Sequence, residues 1–210
     1  MLKIDFKKDL KHLYNPPANR FALVAVPPMQ FLMIDGAGDP NTAPAYTQAV
    51  EALYAVAYKL KFLSKAQLNQ DYTVPPLEGL WWAADMDSFT TRLDKDAWQW
   101  TMMIMTPDWI SANLYAQAVA AARQAKELPA LSGLRLEPYA EGLSVQILHR
   151  GSYDAEGPTL HRLHHEFIPA NGYTPNGKHH EIYLSDPRRT APDQLKTALR
   201  QPVKSVDPDH

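Results

Sequence analysis

The chain has 210 residues, enough for one substantial core, and its formal net charge is only −2, from 21 Lys and Arg against 23 Asp and Glu. Such a balanced charge does not indicate a nucleic-acid or acidic-membrane partner, since both need a concentrated positive field. The lack of cysteine excludes disulfides, thiolate metal sites and thiol nucleophiles, and it suits a reducing cytoplasm. The N-terminal segment MLKIDFKKDLKHLY has no apolar run of signal-peptide length, so we expect a cytoplasmic protein without a leader or a membrane span.

The first half of the chain is predicted to follow a β-β-α-β-β order. Its helix begins at Pro44, because apolar side chains recur at spacings of three and four from Tyr46 to Leu60. The four flanking strands are short apolar segments that end in turns rich in proline, glycine or aspartate. These strands are FALVAVPP (21–28), QFLMIDGAGDPN (30–41), LEGLWWAAD (77–85) and AWQWTMMIMTP (97–107), the last two joined by a polar stretch with Asp85, Asp87, Thr90 and Thr91.

An alanine-rich helix over 108–128 separates this half from a second run of the same order. Ser111 is its predicted N-cap, and Pro129 ends it. The second run consists of GLRLEPYAEG (133–142), LSVQILHRGSYD (143–154), the helix PTLHRLHHEFI (158–168), HHEIYLSDP (179–187) and LKTALRQPV (195–203).

Local motifs repeat along with the order of elements. MIDGAGD of the first half matches ILHRGSYD of the second, and MIMTPDWI matches ALRQPVKSV. Internal similarity of this kind constrains the whole topology. The sequence therefore predicts an α+β fold, a single domain over 1–210 with ββαββ repeats at about 21–107 and 133–203. The two pseudo-symmetric halves would have antiparallel sheets, helices on one face and a ligand cleft between them.

The strand HHEIYLSDP carries the main functional candidate. Its alternation puts Ile182 and Leu184 on one face and Glu181 and Tyr183 on the other. We expect Ile182 and Leu184 to pack under the second helix, around Leu160, which would leave Glu181 facing the cleft. In an apolar cleft, desolvation raises the pKa of a carboxylate and makes it a better base or acid near neutral pH, and such a group also serves to hold a cation.

The plain alternative for Glu181 is a surface carboxylate paired with Lys178 or Arg188. Glu78 occupies the corresponding place in the first repeat. Because it follows Pro75-Pro76 closely, we expect Glu78 to be exposed.

Taken together and in order, several segments resemble the family of GyrI-like small-molecule-binding domains. These segments are FLMIDGAGDPN, EALYAVAYKLKF, PLEGLWW, WQWTMMIMTP and, above all, GKHHEIYLSDP followed by LKTALRQPV. The likeness extends from about residue 5 to residue 204. It implies a duplicated α+β unit, also seen as the ligand-binding half of multidrug-sensing regulators. It further implies an aromatic-lined hydrophobic cleft between the repeats, with an acid on a strand of the second repeat that here is Glu181.

The resemblance implies several functions for such a cleft. In the regulators the acid favours lipophilic cations, and in some stand-alone members the cleft is associated with detoxifying hydrolysis of cyclopropane rings in DNA-alkylating natural products. A ligand sensor, a sequestering protein and an inhibitor of DNA gyrase are the alternatives, the last without support in the sequence itself. Residues 1–20 are too few for a DNA-binding module, so we expect neither a transcription regulator nor direct nucleic-acid contact.

The candidate site combines an acid–base pair with aromatic walls. Glu181 is the predicted general base, and Tyr183 is its polar partner, a hydrogen-bond donor to a ligand carbonyl. Consecutive tryptophans lie on opposite faces of a strand, so one is expected under the first helix and the other in the cleft. Trp100 also fits a core stripe with Trp98. The candidate ligand-binding residues are Trp81, Trp82, Tyr54, Trp100 and Met33.

The histidines do not form a recognisable metal motif. His161 and His165 lie one helical turn apart but lack the HExxH arrangement, and no carboxylate set completes a site. His179 and His180 are neighbours on a strand, so their rings point in opposite directions. The sequence also has no G-x-S-x-G elbow, P-loop or dinucleotide fingerprint. We therefore expect no metal ion and no cofactor.

Overall fold

A computed structural model describes residues 3–84 and 94–206 of the chain. Asp85, Asp87, Thr90 and Thr91 of the predicted polar connection lie outside these residues. In the described part, β1 (Lys3–Ile4) pairs in parallel with β4 (Asp71–Tyr72). The remaining strands are β2 (Ala22–Val26), β3 (Met29–Ala37), β5 (Leu77–Trp82), β6 (Gln99–Thr106), β7 (Arg135–Tyr139), β8 (Gly142–Arg150), β9 (Tyr173–Pro175), β10 (His179–Tyr183) and β11 (Lys196–Ser205).

These remaining strands form one antiparallel sheet in the order β2-β8-β11-β10-β5-β6-β3-β7, with β9 paired to the end of β11. The predicted α+β class with an antiparallel sheet is confirmed. The strand order is symmetric about the β10–β5 pair, and the first strand of each half pairs with a strand of the other half: β2 with β8, and β7 with β3. Two copies of a ββαββ unit would give this order, although the internal repeat itself stays a prediction.

Three helical segments are long, and two short ones precede them. The short helices are α1 (Phe6–Asp9) and α2 (Lys11–Tyr14), and the long ones are α3 (Pro44–Leu68), α4 (Ala112–Ala125) and α5. In α5, the α-helical residues Gly157–His161 continue into a π-helical segment, Arg162–Phe167, and a last turn, Ile168–Ala170. Pro44 stands in the first turn of α3 as predicted. The hydroxyl of Ser111 accepts a hydrogen bond from the amide of Leu114, so Ser111 is the N-cap of α4 as predicted.

The main core lies between the sheet and α3 with α5, on the side called here the helical face. Leu53, Val56 and Leu60 of α3 pack with Trp100 and Ile104 of β6 in this core. Trp98 packs against the same cluster, which confirms the predicted stripe of β6. Each side chain is removed from water by sheet and helix together, so this apolar contact is the main driving force for the fold.

The short helices α1 and α2 cover the opposite side of the sheet, called here the N-terminal face. Ile182 is buried there with Leu13 and Tyr14, and Leu184 packs against the same cluster. The expectation that these strand residues pack under α5 around Leu160 is therefore wrong. Alternation along β10 correctly separates the two sets of side chains, but it does not reveal which helix covers which face.

Candidate functional site

Glu181 lies at the centre of the sheet, on the strand pair that relates the two halves. Its register partner on β5 is Gly79. The glutamate is 8% exposed, so it is a buried carboxylate rather than the solvated one that the plain alternative described. Because Glu181 is on the helical face, the covering elements are α3 and α5.

A short chain of hydrogen bonds holds this carboxylate in place. The indole Nε1 of Trp81 donates to the hydroxyl oxygen of Tyr183 at 3.0 Å, and that hydroxyl donates to Oε2 of Glu181 at 2.8 Å. Gly79 makes room for the chain, because a Cβ at this position would lie 2.7 Å from Trp81 Nε1 and 3.1 Å from the Tyr183 hydroxyl. The sequence LEGLWW thus supplies both the indole and the gap that it needs.

Aromatic rings enclose the hydrogen-bonded chain. Tyr46 of α3 stacks on Trp81 with ring centroids 6.2 Å apart, and its edge meets Trp100 at 5.4 Å. Tyr153 meets the ring of Tyr183 edge-on at 5.6 Å and is 39% exposed, so it stands where the enclosure reaches solvent. Rings in these orientations form a rigid apolar wall.

The tyrosine hydroxyls around Glu181 are held in their neutral form. Burial and the negative charge of Glu181 raise the pKa of Tyr46 and that of Tyr183 well above the ordinary value. Burial, together with the charges of Glu156 and Glu181, raises the pKa of Tyr153 to about 12. At neutral pH each hydroxyl therefore keeps its proton and is a hydrogen-bond donor.

The structure brings together Glu181, Tyr183, Trp81 and Trp100 from the predicted set. Tyr54 is half-buried on α3, close enough to Asp186 and Arg188 for their charges to act on it, and burial raises the pKa of its hydroxyl. One tryptophan is expected under the first helix and the other in the cleft with Glu181. Trp81 alone does both, because it packs in the core under α3 and its indole bonds to Tyr183.

Two predicted ligand-binding residues lie apart from Glu181, on the N-terminal face. The ammonium of Lys178 lies over the ring of Trp82, 3.3 Å from the ring centroid, in a cation–π contact. Met33 is buried in a cluster with Phe31, Leu80 and Met103. Alternation accounts for both placements, because Trp82 follows Trp81 and Met33 precedes Ile34 of the main core.

Sequence reasoning missed three groups on the helical face. His179 has its Nε2 3.6 Å from Oε1 of Glu181, and its ring centroid lies 6.3 Å from that of His164 on α5. Burial and the neighbouring histidines lower the pKa of His164 to about 4, so His164 is neutral at pH 7. Glu156, just before α5, is 4% exposed. The period of two in β10 already places His179 on the same face as Glu181, so this placement is readable from the sequence pattern.

The N-terminal face holds a second polar group, a closed ion network. Glu78 is fully buried, so the expectation that it is exposed is wrong; it accepts hydrogen bonds from Tyr14 and from His180, both at 2.9 Å. The other ring nitrogen of His180 bonds to Glu141 at 2.9 Å, and Arg200 bonds to the same carboxylate at 3.0 Å. α2 covers this network and thereby hides Glu78 from water.

The network carries equal numbers of opposite charges. Burial lowers the pKa of His180, but the carboxylates of Glu141 and Glu78 outweigh it and raise the pKa to about 9. Burial likewise opposes the ionised form of Glu141, and His180 with Arg200 lowers its pKa to about 2. Two carboxylates thus face an imidazolium and a guanidinium.

Among residues 3–84 and 94–206, no group of three or more His, Asp or Glu side chains is arranged to hold a metal ion. Within the same residues, no helix combines the length and apolar character needed to cross a bilayer. Surface recesses of about 340 and 290 Å³ are lined by residues around Arg123 and around Arg150, and neither includes a predicted site residue.

Comparison with known proteins agrees with this architecture. The family model of the GyrI-like small molecule binding domain matches residues 21–204. An uncharacterized conserved protein from Listeria innocua is 40% identical, with a TM-score of 0.87 over 96% of this chain and 100% of that chain. A structure described as a hydrolase from Listeria innocua is 39% identical, with a TM-score of 0.85 over 97% of this chain and 100% of that chain. Comparison with curated protein sequences gave no significant match.

More distant structures share the fold alone. The C-terminal domain of EcmrR is 12% identical, with a TM-score of 0.55 over 89% of this chain and 98% of that domain.

The helical face of the sheet, with its buried carboxylate and aromatic wall, is the candidate small-molecule site.

Proposed function

Because the chain belongs to the family of GyrI-like small-molecule-binding domains, we propose that it binds hydrophobic, partly aromatic molecules against Glu181 and hydrolyses strained, cyclopropane-type electrophiles. The observation that carries this proposal is the buried carboxylate of Glu181, which is hydrogen-bonded by Tyr183 and enclosed by aromatic rings. A relative at 39% identity that is described as a hydrolase supports hydrolysis as the reaction class.

The aromatic wall suits flat apolar ligands. Tyr46, Trp81 and Tyr153 present ring faces and edges, and such rings bind aromatic molecules with little loss of side-chain freedom. Their hydroxyls are neutral at pH 7, so the wall adds hydrogen-bond donors without adding charge.

In the proposed reaction, Glu181 is the general base. It takes a proton from water while the water oxygen bonds to a carbon of the strained ring. A carbon–carbon bond of the ring breaks, and its electron pair moves through the conjugated system to an oxygen, where negative charge collects. Tyr183 keeps the carboxylate oriented, because its proton is already donated to Glu181 Oε2.

The test compares the wild-type protein with Glu181→Gln, which keeps the shape of the side chain and removes its basicity. Each protein is incubated with a cyclopropane-bearing alkylating compound, and ring-opened product is followed by mass spectrometry. We expect product from the wild type and from the control Glu166→Gln, whose side chain is exposed on α5, but not from Glu181→Gln.

Tryptophan fluorescence separates binding from turnover in the same samples, because Trp81 and Trp100 belong to the site. Quenching without product in any variant would overturn the hydrolase and leave a sequestering or sensing protein. If the compound causes no quenching and no product forms, the small-molecule site at Glu181 is overturned for this ligand class. Binding to DNA gyrase stays a separate hypothesis that the family resemblance raises.

A further inference from the structure

The reaction proposed above lacks one participant, a proton donor for the oxygen on which negative charge collects. Tyr183 has a single hydroxyl proton, and that proton is donated to Glu181. A second group on the helical face is therefore needed to complete the addition of water. Glu156 has the properties of such a group.

Glu156 is buried without complete hydrogen bonding. It is 4% exposed, and within the part of the chain that the structure describes its Oε1 has no hydrogen-bond partner. An unsatisfied carboxyl oxygen in such a place costs free energy that a bound ligand can recover by hydrogen bonding to it.

Two ring contacts place the segment that contains Glu156 beside β10. Three residues before it, Tyr153 contacts the ring of Tyr183. One turn after it, Leu160 belongs to the core cluster against which Tyr183 packs. One turn further, His164 lies opposite His179. The segment from Tyr153 to His164 thus lies beside β10, with ring contacts to Tyr183 at one end and to His179 at the other.

Two buried carboxyl groups therefore lie on the helical face. Burial raises the pKa of Glu156 well above its ordinary value, and the charge of Glu181 raises it further, with a smaller contribution in the same direction from Asp154. The Thr197 side chain of β11 acts the other way. Burial and the neighbouring charges therefore favour the protonated form of Glu156.

We propose that Glu156 is the general acid of this site, the partner of Glu181 in the hydrolysis proposed above. Glu181 removes one proton from water, the water oxygen bonds to the ring carbon, and the ring carbon–carbon bond breaks toward the conjugated oxygen. Glu156 then gives its proton to that oxygen. The net change is the addition of one water molecule, and solvent returns a proton to Glu156 while it removes one from Glu181. The proposal rests on the proposed function and assigns it a second catalytic residue.

The experiment compares the wild type, Glu156→Gln, Glu181→Gln and the control Glu166→Gln over a range of pH. General acid catalysis contributes typically 10²–10⁴-fold, so we expect Glu156→Gln to lower kcat by about 100-fold. The wild-type rate should fall on the alkaline side, where Glu156 loses its proton, and Glu156→Gln should lose this alkaline limb. Turnover by Glu156→Gln at the wild-type rate and with the wild-type pH profile would overturn the assignment.

Other outcomes distinguish this assignment from the proposed function itself. Turnover that Glu181→Gln abolishes and Glu156→Gln leaves intact overturns only the role of Glu156, whereas a wild type without turnover overturns both. The infrared spectrum at pH 7 gives a second readout: the carbonyl band of a protonated carboxyl group should disappear in Glu156→Gln and persist in Glu166→Gln. Persistence of the band in Glu156→Gln contradicts the assignment.

A third variant covers the case in which Glu156→Gln does not fold. Glu156→Asp keeps a carboxyl group that can be protonated and shortens its reach by one methylene. It should retain the alkaline limb at a reduced kcat. Loss of that limb in Glu156→Asp would contradict the assignment.

Discussion

His180 and Glu181 are consecutive residues of β10, yet their side chains enter two buried polar regions that differ in charge balance. On the N-terminal face, Glu78 and Glu141 meet the cations of His180 and Arg200, and hydrogen bonds join all four groups. On the helical face, Glu181 shares a buried region with a second carboxyl group, aromatic rings and neutral hydroxyls.

The difference indicates which region holds the fold and which is available for chemistry. A buried network with complete partners specifies one arrangement and gains nothing from a ligand. A buried carboxyl pair is held at a cost in stability, and a ligand that supplies donors or acceptors recovers part of that cost. The two regions can be compared directly, because each contains a buried glutamate that can be changed to glutamine.

The largest effect is expected from Glu141→Gln. This substitution removes one partner from a fully buried ion network and leaves Arg200 and His180 with an excess of positive charge. Breaking a buried pair in this way costs about 3–5 kcal/mol of the free energy of unfolding. Glu181→Gln retains an oxygen that accepts the Tyr183 proton, so it should cost about 1 kcal/mol or less. Urea unfolding at pH 7 measures both, and equal losses would contradict the distinction between the two regions.

The next effect is the pH dependence that His180 imposes. Its pKa is about 9 in the folded protein against an ordinary value of 6.5, so the folded state binds a proton that the unfolded state has released. Stability should therefore be fully present below pH 6.5 and fall as the pH rises toward 9, by a total on the order of 3 kcal/mol.

Unfolding measured over a series of pH values tests this expectation, with His180→Gln as the variant that lacks the titrating group. The variant should be less stable overall, and the part of the decline due to this residue should be absent between pH 6.5 and 9. An identical decline in the wild type and in His180→Gln would show that the imidazole is not charged in the network.

A smaller effect is expected where β5 supports the Glu181 region. In Gly79→Ala the new Cβ would lie 2.7 Å from Trp81 Nε1, so the indole must move and its bond to Tyr183 is lost. Overpacking of this kind costs typically about 1–3 kcal/mol. The control is Gly133→Ala, because a Cβ there has no atom within 4 Å. Thermal unfolding and tryptophan fluorescence should change in the first variant only, and equal behaviour would mean that Trp81 adapts freely.

The sequence predicts much of this architecture because its patterns are local. Turn residues and apolar periodicity locate the strands and helices of the sheet, and the matching motifs of the two halves indicate the topology. The period of two correctly groups Glu181 with Tyr183 and separates both from Ile182. These conclusions need only neighbouring residues.

The failures concern contacts between distant segments. α2 buries Glu78, whose sequence neighbours are prolines that suggest exposure, and nothing in β5 indicates that Tyr14 and His180 bond to it. The influence of the Glu181 charge on Glu156 depends on how the segment around Tyr153 packs against β10, a relation that local spacing does not contain. Burial of polar groups depends on the global fold, and that is where prediction from one sequence is weakest.

The smallest expected effect is that of Tyr183→Phe, which removes one hydroxyl from the link between β5 and β10. The indole of Trp81 then lacks its acceptor, and Glu181 Oε2 lacks its donor. The site reaches solvent at Tyr153, so water can replace part of these bonds, and the loss should be about 1 kcal/mol. The control Tyr58→Phe, at a residue 49% exposed, should leave stability unchanged. A loss as large as that of Glu141→Gln would mean that the Glu181 region is a structural network like that of His180, because a region available to a ligand cannot depend so strongly on one internal hydrogen bond.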